Sequence, residues 1–469
     1  MKEFLNLQRK FYEKICDGKM VKIGLEIHVQ LKTNKKLFCE CSADYLSAEE
    51  NRNICEICTG QPGAKPMGVN KKALENLLKI SLALGCTIKN KVFFQRKHYF
   101  WPDLPSGYQR TSKPIAVNGK LGKIRIREIH LEEDPGRYDL REGKVDYNRS
   151  GIPLAEIVTE PDISSPEEAR EFLEELAKII EYLDAGREEP GSSRVDANIS
   201  VDETRVEVKN INSFSGVYSA LSYEIFRQKD MIAKGKKIER ETRHYDEKTE
   251  KTFPLRKKEV EEDYRYFPDP DIPPIFIDQE FIEKIKREIP ELPTQKKERF
   301  VKEYKIRERE ADILVSEIEI ANLFEKMAKK YDPIKLSFWI VGPLKKQLNY
   351  RNLKLKDSKL NYDDLVCIFD DFYNKKITDD GMETALIKIL DEKVRYSEIR
   401  ESLLKVTDLS EIEKVIDDVL SKNENAVMDY KSGNEKVMNF LIGQVMRRLS
   451  GRGDQNIIRE CILKKIKEK

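Results

Sequence analysis

The feature that most limits what this chain can fold into is a change of hydrophobic period part-way along it. Over residues 21–293, apolar residues recur in short alternating runs such as KIGLEIHVQLK, GKIRIREIHL, IPLAEIV, RVDANISV and RVEVKNI, parted by turns rich in Pro, Gly, Asn and Asp. A period of two sends successive side chains to opposite faces, so each run reads as a half-buried strand. From Tyr264 the chain turns proline-rich (YRYFPDPDIPPIFID, then REIPELP), and beyond Thr294 the pattern is helical to the end. The chain therefore reads as α+β: a mixed-sheet domain over 21–293, a helical domain over 294–355 and a helical tail over 356–469, the second boundary falling near LNYRNLKLKDSKLNYDD. Residues 1–20 mix charges with Phe4, Leu5, Phe11 and Tyr12 and predict a short amphipathic helix, not a secretory leader.

Two local signals sharpen this. In SSPEEAREFLEELAKIIEYL, Ser165 is a natural N-cap, Pro166 occupies the first helical position and Glu168 completes a capping box; Ala169, Leu173, Leu176, Ile180 and Leu183 then form one apolar stripe. RVDANISV and RVEVKNI read as a hairpin around Asp202-Glu203-Thr204.

Composition excludes several classes. No run of about 18 apolar residues is present, so no membrane span is expected. A net charge of +2 with 36% charged residues gives no bulk case for nucleic acid, and DNA is not expected as a partner. The basic run Arg447–Lys469 is either a solvated helix face or a local RNA contact. Eight cysteines in 469 residues are not a disulfide framework, and the chain reads as cytoplasmic. Four of them, Cys39, Cys41, Cys55 and Cys58, lie within twenty residues and could supply a structural Zn²⁺; the alternatives are unligated thiols or a redox pair.

The strand VKIGLEIHVQL places Glu26 and His28, one of only four histidines, on its polar side. Glu133 lies at the end of IHLEED, Glu156 is flanked by apolar residues on its own face in PLAEIV, and Asp196 lies with Arg194 and Asn198 opposite Val195, Ala197 and Ile199. Glu26, His28, Glu133, Glu156 and Asp196 are hard ligands that suit Mg²⁺ if the sheet brings them together; otherwise they are a plain polar surface. The chain carries no G-x-x-x-x-G-K-[ST] phosphate loop, no G-x-G-x-x-G turn and no G-x-S-x-G nucleophile elbow. The polar islands 94–109, 145–156 and 207–216 either hold a nucleotide or satisfy their own backbones.

Strings such as IGLEIHVQLKT, RKHYFWPDLPSGYQ, IHLEEDPGR, VDYNRSGIPLAEIVTEPDISSPEEA, GSSRVDANIS and DYRYFPDPDIPP, in order from Val21 to Pro293, resemble the B subunits of tRNA-dependent amidotransferases, with the likeness resuming at FLIGQVM. The resemblance implies a cradle-like catalytic domain, a helical domain and a YqeY-like tail that reaches tRNA. It implies ATP-dependent phosphorylation of the side-chain carboxylate of Glu-tRNA(Gln) or Asp-tRNA(Asn), then amidation by ammonia from an A subunit, in a heterotrimer with A and C subunits. It implies Mg²⁺ on Glu26, His28, Glu133, Glu156 and Asp196, structural Zn²⁺ on the four cysteines, and ATP or acceptor-end contacts from Lys97, Arg149, Arg194, Lys209 and Asn210. His98 departs from the family's usual Asn, and GRGDQN from its usual tail motif. Competing readings are a zinc-knuckle tRNA-binding protein without catalysis, a metal-dependent phosphoesterase, and the archaeal E-type paralogue, whose extra domain this chain looks too short to hold.

Overall fold

The computed structural model describes residues 21–139, 141–257, 264–406 and 408–468. The helix expected over 1–20 lies outside them. The fold divides between Pro293 and Thr294 into two compact units.

The first unit is built on a mixed sheet. Ten of its twelve described strands follow one path: β1 (Lys22–Gln30), β2 (Phe94–His98), β3 (Tyr108–Ser112), β4 (Ile124–Glu133), β5 (Pro153–Thr159), β6 (Ser193–Ser200), β7 (Val206–Ile211), β8 (Glu241–Asp246), β9 (Lys251–Lys257) and β10 (Phe267–Pro268); Ala116–Leu121, paired with β4, and Thr87–Ile88 branch from it. They lie in the order β9-β8-β7-β6-β1-β5-β4-β3-β2-β10. Of these pairings, β7 with β8 is parallel and the others are antiparallel. β1 alternates as its sequence requires: Ile23, Leu25, Ile27 and Val29 are buried, and Glu26 and His28 are only half-buried.

One face of the sheet is closed by helices α1 (Lys71–Ala83), α2 (Pro166–Tyr182) and α3 (Phe214–Ala233), whose Leu77, Leu173, Leu176, Val217 and Leu221 join Ile23, Leu25, Ile27, Ile157 and Ile199 in one core. Each fully buried aliphatic side chain contributes roughly 1.5–3 kcal/mol, so β1 is firmly held from behind.

Ser165 caps α2 by accepting from the Glu168 amide at 3.2 Å, as the motif predicts. The return bond differs: the Glu168 carboxylate takes the Ser164 amide (2.9 Å) and hydroxyl (2.8 Å), one residue before the cap. The β6–β7 hairpin forms with Ile199 opposite Val206, its loop spanning residues 201–205 with Glu203 in the left-handed region.

The second unit is helical. Its main core runs from Phe300 to Leu403 and a smaller one from Val406 to Ile466. The expected break at 355/356 is not a break in packing, because Leu348, Leu355, Leu360 and Leu365 all share the first core. The polarity of LNYRNLKLKDSKLNYDD belongs to a surface turn over that core. In the tail, Asp454 caps the last helix by accepting from the Asn456 and Ile457 amides, so GRGDQN keeps a helix break. Within the basic run 447–469, Arg448 pairs with Asp418 and Lys465 with Asp417.

Candidate functional site

The register of five strands assembles the polar face that the helices leave uncovered. Glu26 lies opposite Asp196, and His28 lies between Arg194 on β6 and Glu156 on β5. Glu156 in turn faces His130 on β4. This cross-strand row is what the alternation of β1 could not show by itself.

His28 Nε2 is 3.9 Å from Glu156 Oε1. Asn198 Nδ2 donates to Glu26 Oε1 at 3.1 Å. Asp196 is held from two sides: the Asn210 amide donates to Oδ1 at 2.8 Å and the Lys209 ammonium reaches Oδ2 at 3.4 Å. The register slips here, and Asn210 takes a left-handed backbone, a bulge that turns its amide onto the carboxylate. Lys97, paired with Gln109 on β3, enters from the far side. Burial opposes its charge, but Glu132, Tyr266 and Glu156 outweigh burial and hold the ammonium well above its ordinary range.

Glu133 departs from the expected set. It is one residue out of phase with His130 and Glu156, so it turns to the opposite face, where Arg110 Nη1 meets its carboxylate at 3.3 Å. Its neighbour Glu132 takes the place on the polar face. Gln109 Nε2 donates to Glu132 Oε2 at 3.2 Å, and although burial opposes ionisation, the Lys97 ammonium holds the carboxyl below its usual range. Parity in IHLEED carried the signal, since His130, Glu132 and Asp134 alternate.

Arg149 departs too. Its guanidinium donates to the carbonyls of Pro135 (2.9 Å) and Gly136 (2.6 Å) and lies 3.7 Å from Asp134, bracing the turn after β4. Asp134, 2% exposed, accepts from Gln30 (2.6 Å) and Arg194 (2.7 Å), so Arg194 is anchored at the rim of the row. His98 stacks on Phe267 at 4.9 Å, on the face away from the carboxylates, so its exchange for Asn leaves them untouched.

The electrostatics suit a divalent cation. Burial keeps His28 below its ordinary value, leaving a neutral imidazole with a lone pair. Burial, with Glu132 next, pushes Glu156 up to about 8, so this carboxyl carries a proton at neutral pH that a ligated cation would have to displace. The acidic groups are spread along the row; among the described residues only the cysteines bring three or more ligand atoms within 4.8 Å of one another. An open array of carboxylates fits Mg²⁺, which keeps several waters and shares its shell with phosphate. Because Glu156 must lose its proton to ligate, Mg²⁺ affinity is expected to rise about tenfold per pH unit below pH 8 and then level off, with proton release visible by calorimetry in buffers of different ionisation enthalpy. The sign for folding is opposite. The raised carboxyl contributes stability fully below the unfolded range, and that contribution is lost as pH rises through about 8. A pH-independent affinity would remove Glu156 from the site.

The cysteine centre is more compact. Cys58 Sγ lies 4.0 Å from the sulfurs of both Cys55 and Cys41. All four sulfurs lie within 4.8 Å of one another, and tetrahedral Zn–S bonds of about 2.3 Å put sulfurs about 3.8 Å apart, so the cluster could close on zinc. The narrow Cys-x-Cys spacing works because Lys35 bridges Ser42 and the Lys36 amide bonds the Cys41 carbonyl, folding both thiols inward. On the other side the Cys55 amide donates to Cys58 Sγ at 3.3 Å, and Gly60 adopts a left-handed turn where a Cβ would lie 2.5 Å from Ser106 Oγ.

Residues 21–283 match the family described as the GatB/GatE catalytic domain, and residues 322–466 the one described as the GatB domain. The chain belongs to the GatB family. It is 45% identical, over 95% of its length and 100% of the relative's, to the B subunit of the aspartyl/glutamyl-tRNA(Asn/Gln) amidotransferase of Methanothermobacter thermautotrophicus. Proteins of the same name in Methanobrevibacter smithii (47%, 92% of this chain and 96% of the relative) and Methanocaldococcus jannaschii (44%, 96% and 98%) match as extensively. The second match begins inside the helical core at residue 322 and so includes part of the segment expected to form a separate helical domain. Among the described residues no helix is long and apolar enough to cross a membrane.

Proposed function

We propose that this chain is the B subunit of a cytoplasmic aspartyl/glutamyl-tRNA(Asn/Gln) amidotransferase, working with an A subunit that releases ammonia and a C subunit. The reaction is ATP-dependent activation of the side-chain carboxylate of glutamate or aspartate carried on tRNA, followed by amidation. A carboxylate oxygen of the aminoacyl group attacks the γ-phosphorus of ATP, the bond to the β-phosphate oxygen breaks and ADP leaves. Ammonia then attacks the acyl carbon and inorganic phosphate departs with the C–O bonding pair.

The observation that carries this reading is the cross-strand row Asp196/Glu26, His28, Glu156 and Glu132, with Lys97, Arg194 and Lys209 around it. Such a face meets what phosphoryl transfer asks of a protein, which is positioning and charge stabilisation more than covalent chemistry. Mg²⁺, when bound there, would offset charge on the transferring phosphoryl group. Glu26, His28, Glu156, Asp196 and Glu132 are its proposed holders. Lys97 and Lys209 keep positive charge close to where the phosphoryl group must pass, and Asn210 fixes Asp196. Arg194 is set by Asp134 to face the same opening. Glu133 and Arg149 brace the strand end instead.

ATP turnover is expected to require tRNA charged with glutamate or aspartate and to stay at background with uncharged tRNA or the free amino acids. Equal turnover with free glutamate would reject the reading. Cleavage of simple phosphate esters without tRNA would favour a phosphoesterase.

A further inference from the structure

Lys36 is 1% exposed, among the largest fully buried side chains of the protein. Its ammonium has two close partners, Cys58 Sγ at 3.4 Å and the Tyr147 carbonyl at 3.2 Å. Among the described residues no carboxylate lies within ion-pair distance of it. With a neutral carbonyl as its other partner, the buried ammonium faces the cysteine cluster for counter-charge, and four thiolates around a divalent metal would carry a net charge of about −2.

The Tyr147 carbonyl belongs to segment 147–152, which is tied to both the cysteine cluster and the polar face. Ser150 Oγ donates to the Cys58 carbonyl at 2.9 Å, the Leu37 amide to the Gly151 carbonyl at 2.8 Å, and the Gly151 amide to the Asp134 carbonyl at 2.9 Å. A Cβ on Gly151 would meet Cys58, Lys36 and Glu133 at 3.6–3.7 Å, so the three elements converge there. Asp134 then holds Arg194, and segment 147–152 runs directly into β5 and Glu156.

We propose that Lys36 is a positioning residue: its ammonium is the counter-charge of the cysteine-held metal and ties that metal to segment 147–152, so that metal loading and the setting of Asp134 and Arg194 are coupled. This rests on the zinc reading of the four cysteines. In that arrangement the knuckle supports the reacting face as well as its own loop.

The full chain is loaded with Zn²⁺ and its affinity measured by chelator competition for wild type, Lys36→Met, Lys36→Arg and, as a control at an exposed lysine, Lys65→Met. Lys36→Met is expected to lose about 10–100-fold in Zn²⁺ affinity, the range for partners behind metal ligands, with Lys36→Arg recovering part of it and Lys65→Met unchanged. In the wild-type chain, stripping the metal is expected to speed hydrogen exchange at the Leu37 and Gly151 amides at least about tenfold while α3 stays protected. This arm decides the matter even if Lys36→Met does not fold. Wild-type affinity in Lys36→Met, or unchanged protection at Gly151 after stripping, overturns the proposal while leaving zinc in place. A wild-type chain that binds no Zn²⁺ overturns the zinc reading with it.

Discussion

Glu132→Gln is expected to lower charged-tRNA-dependent ATP turnover by about 10²–10³-fold, the loss typical of removing one charge-stabilising group from a preorganised site. Glutamine keeps the shape of the side chain and can still accept from Gln109, so what disappears is the charge that holds Lys97. The fall should appear in kcat more than in KM, because a charge partner of the transferring group acts on the transition state. Glu133→Gln, one residue away, is expected to hold turnover within about tenfold of wild type. Its cost falls on stability, because Arg110 loses one of its two carboxylate partners. Steady-state ATP turnover and thermal unfolding of both variants separate the two roles. An active Glu132→Gln beside an inactive Glu133→Gln would return the site to the set implied by family resemblance.

Asp269→Ala is expected to cost the first unit about 3–5 kcal/mol, the range for breaking a buried ion pair by removing one partner. The Asp269 side chain is fully buried and receives Arg96 Nε at 3.0 Å and Nη2 at 3.2 Å, and Arg110 Nε at 3.0 Å. Alanine would strand two guanidinium groups behind the sheet, with Asp271 left for Arg96 and Glu133 for Arg110. Burial opposes ionisation of Asp269, yet its bond to Arg96 holds the carboxyl below its usual range. The stability it contributes is therefore present above the ordinary carboxylate range and lost as pH falls through its lowered value. Urea unfolding followed through Trp101 in the first unit should show a lower midpoint with an unchanged slope. Trp339 reports the second unit, which should be unaffected. A midpoint within experimental error of wild type would show that water or local rearrangement satisfies both arginines.

Much of the fold is legible in the sequence because its signals are local. The capping serine of α2, the alternation of β1 and the β6–β7 hairpin each depend on residues a few positions apart. The same locality explains the departures. Polarity around 348–364 reads as a boundary because a surface turn and a linker have similar composition, and only the packing of Leu355 and Leu360 tells them apart. Family resemblance places Arg149 near ATP or the acceptor end, and its Gly/Asn-rich loop gives no hint of the carbonyls that claim its guanidinium.

By itself the sequence determined which side chains share the polar face of each strand, that four cysteines could meet, and that the sheet gives way to helices near Thr294. Side-chain parity, motif spacing and helical period are properties of short segments, so no distant contact is needed to read them. Tertiary structure decided what lies beside what: that His28 sits between Arg194 and Glu156, that Glu132 and not Glu133 joins them, and that Lys36 is sealed against the sulfur of Cys58. Those relations are set by the register between strands far apart in sequence, where a one-residue shift exchanges the two faces.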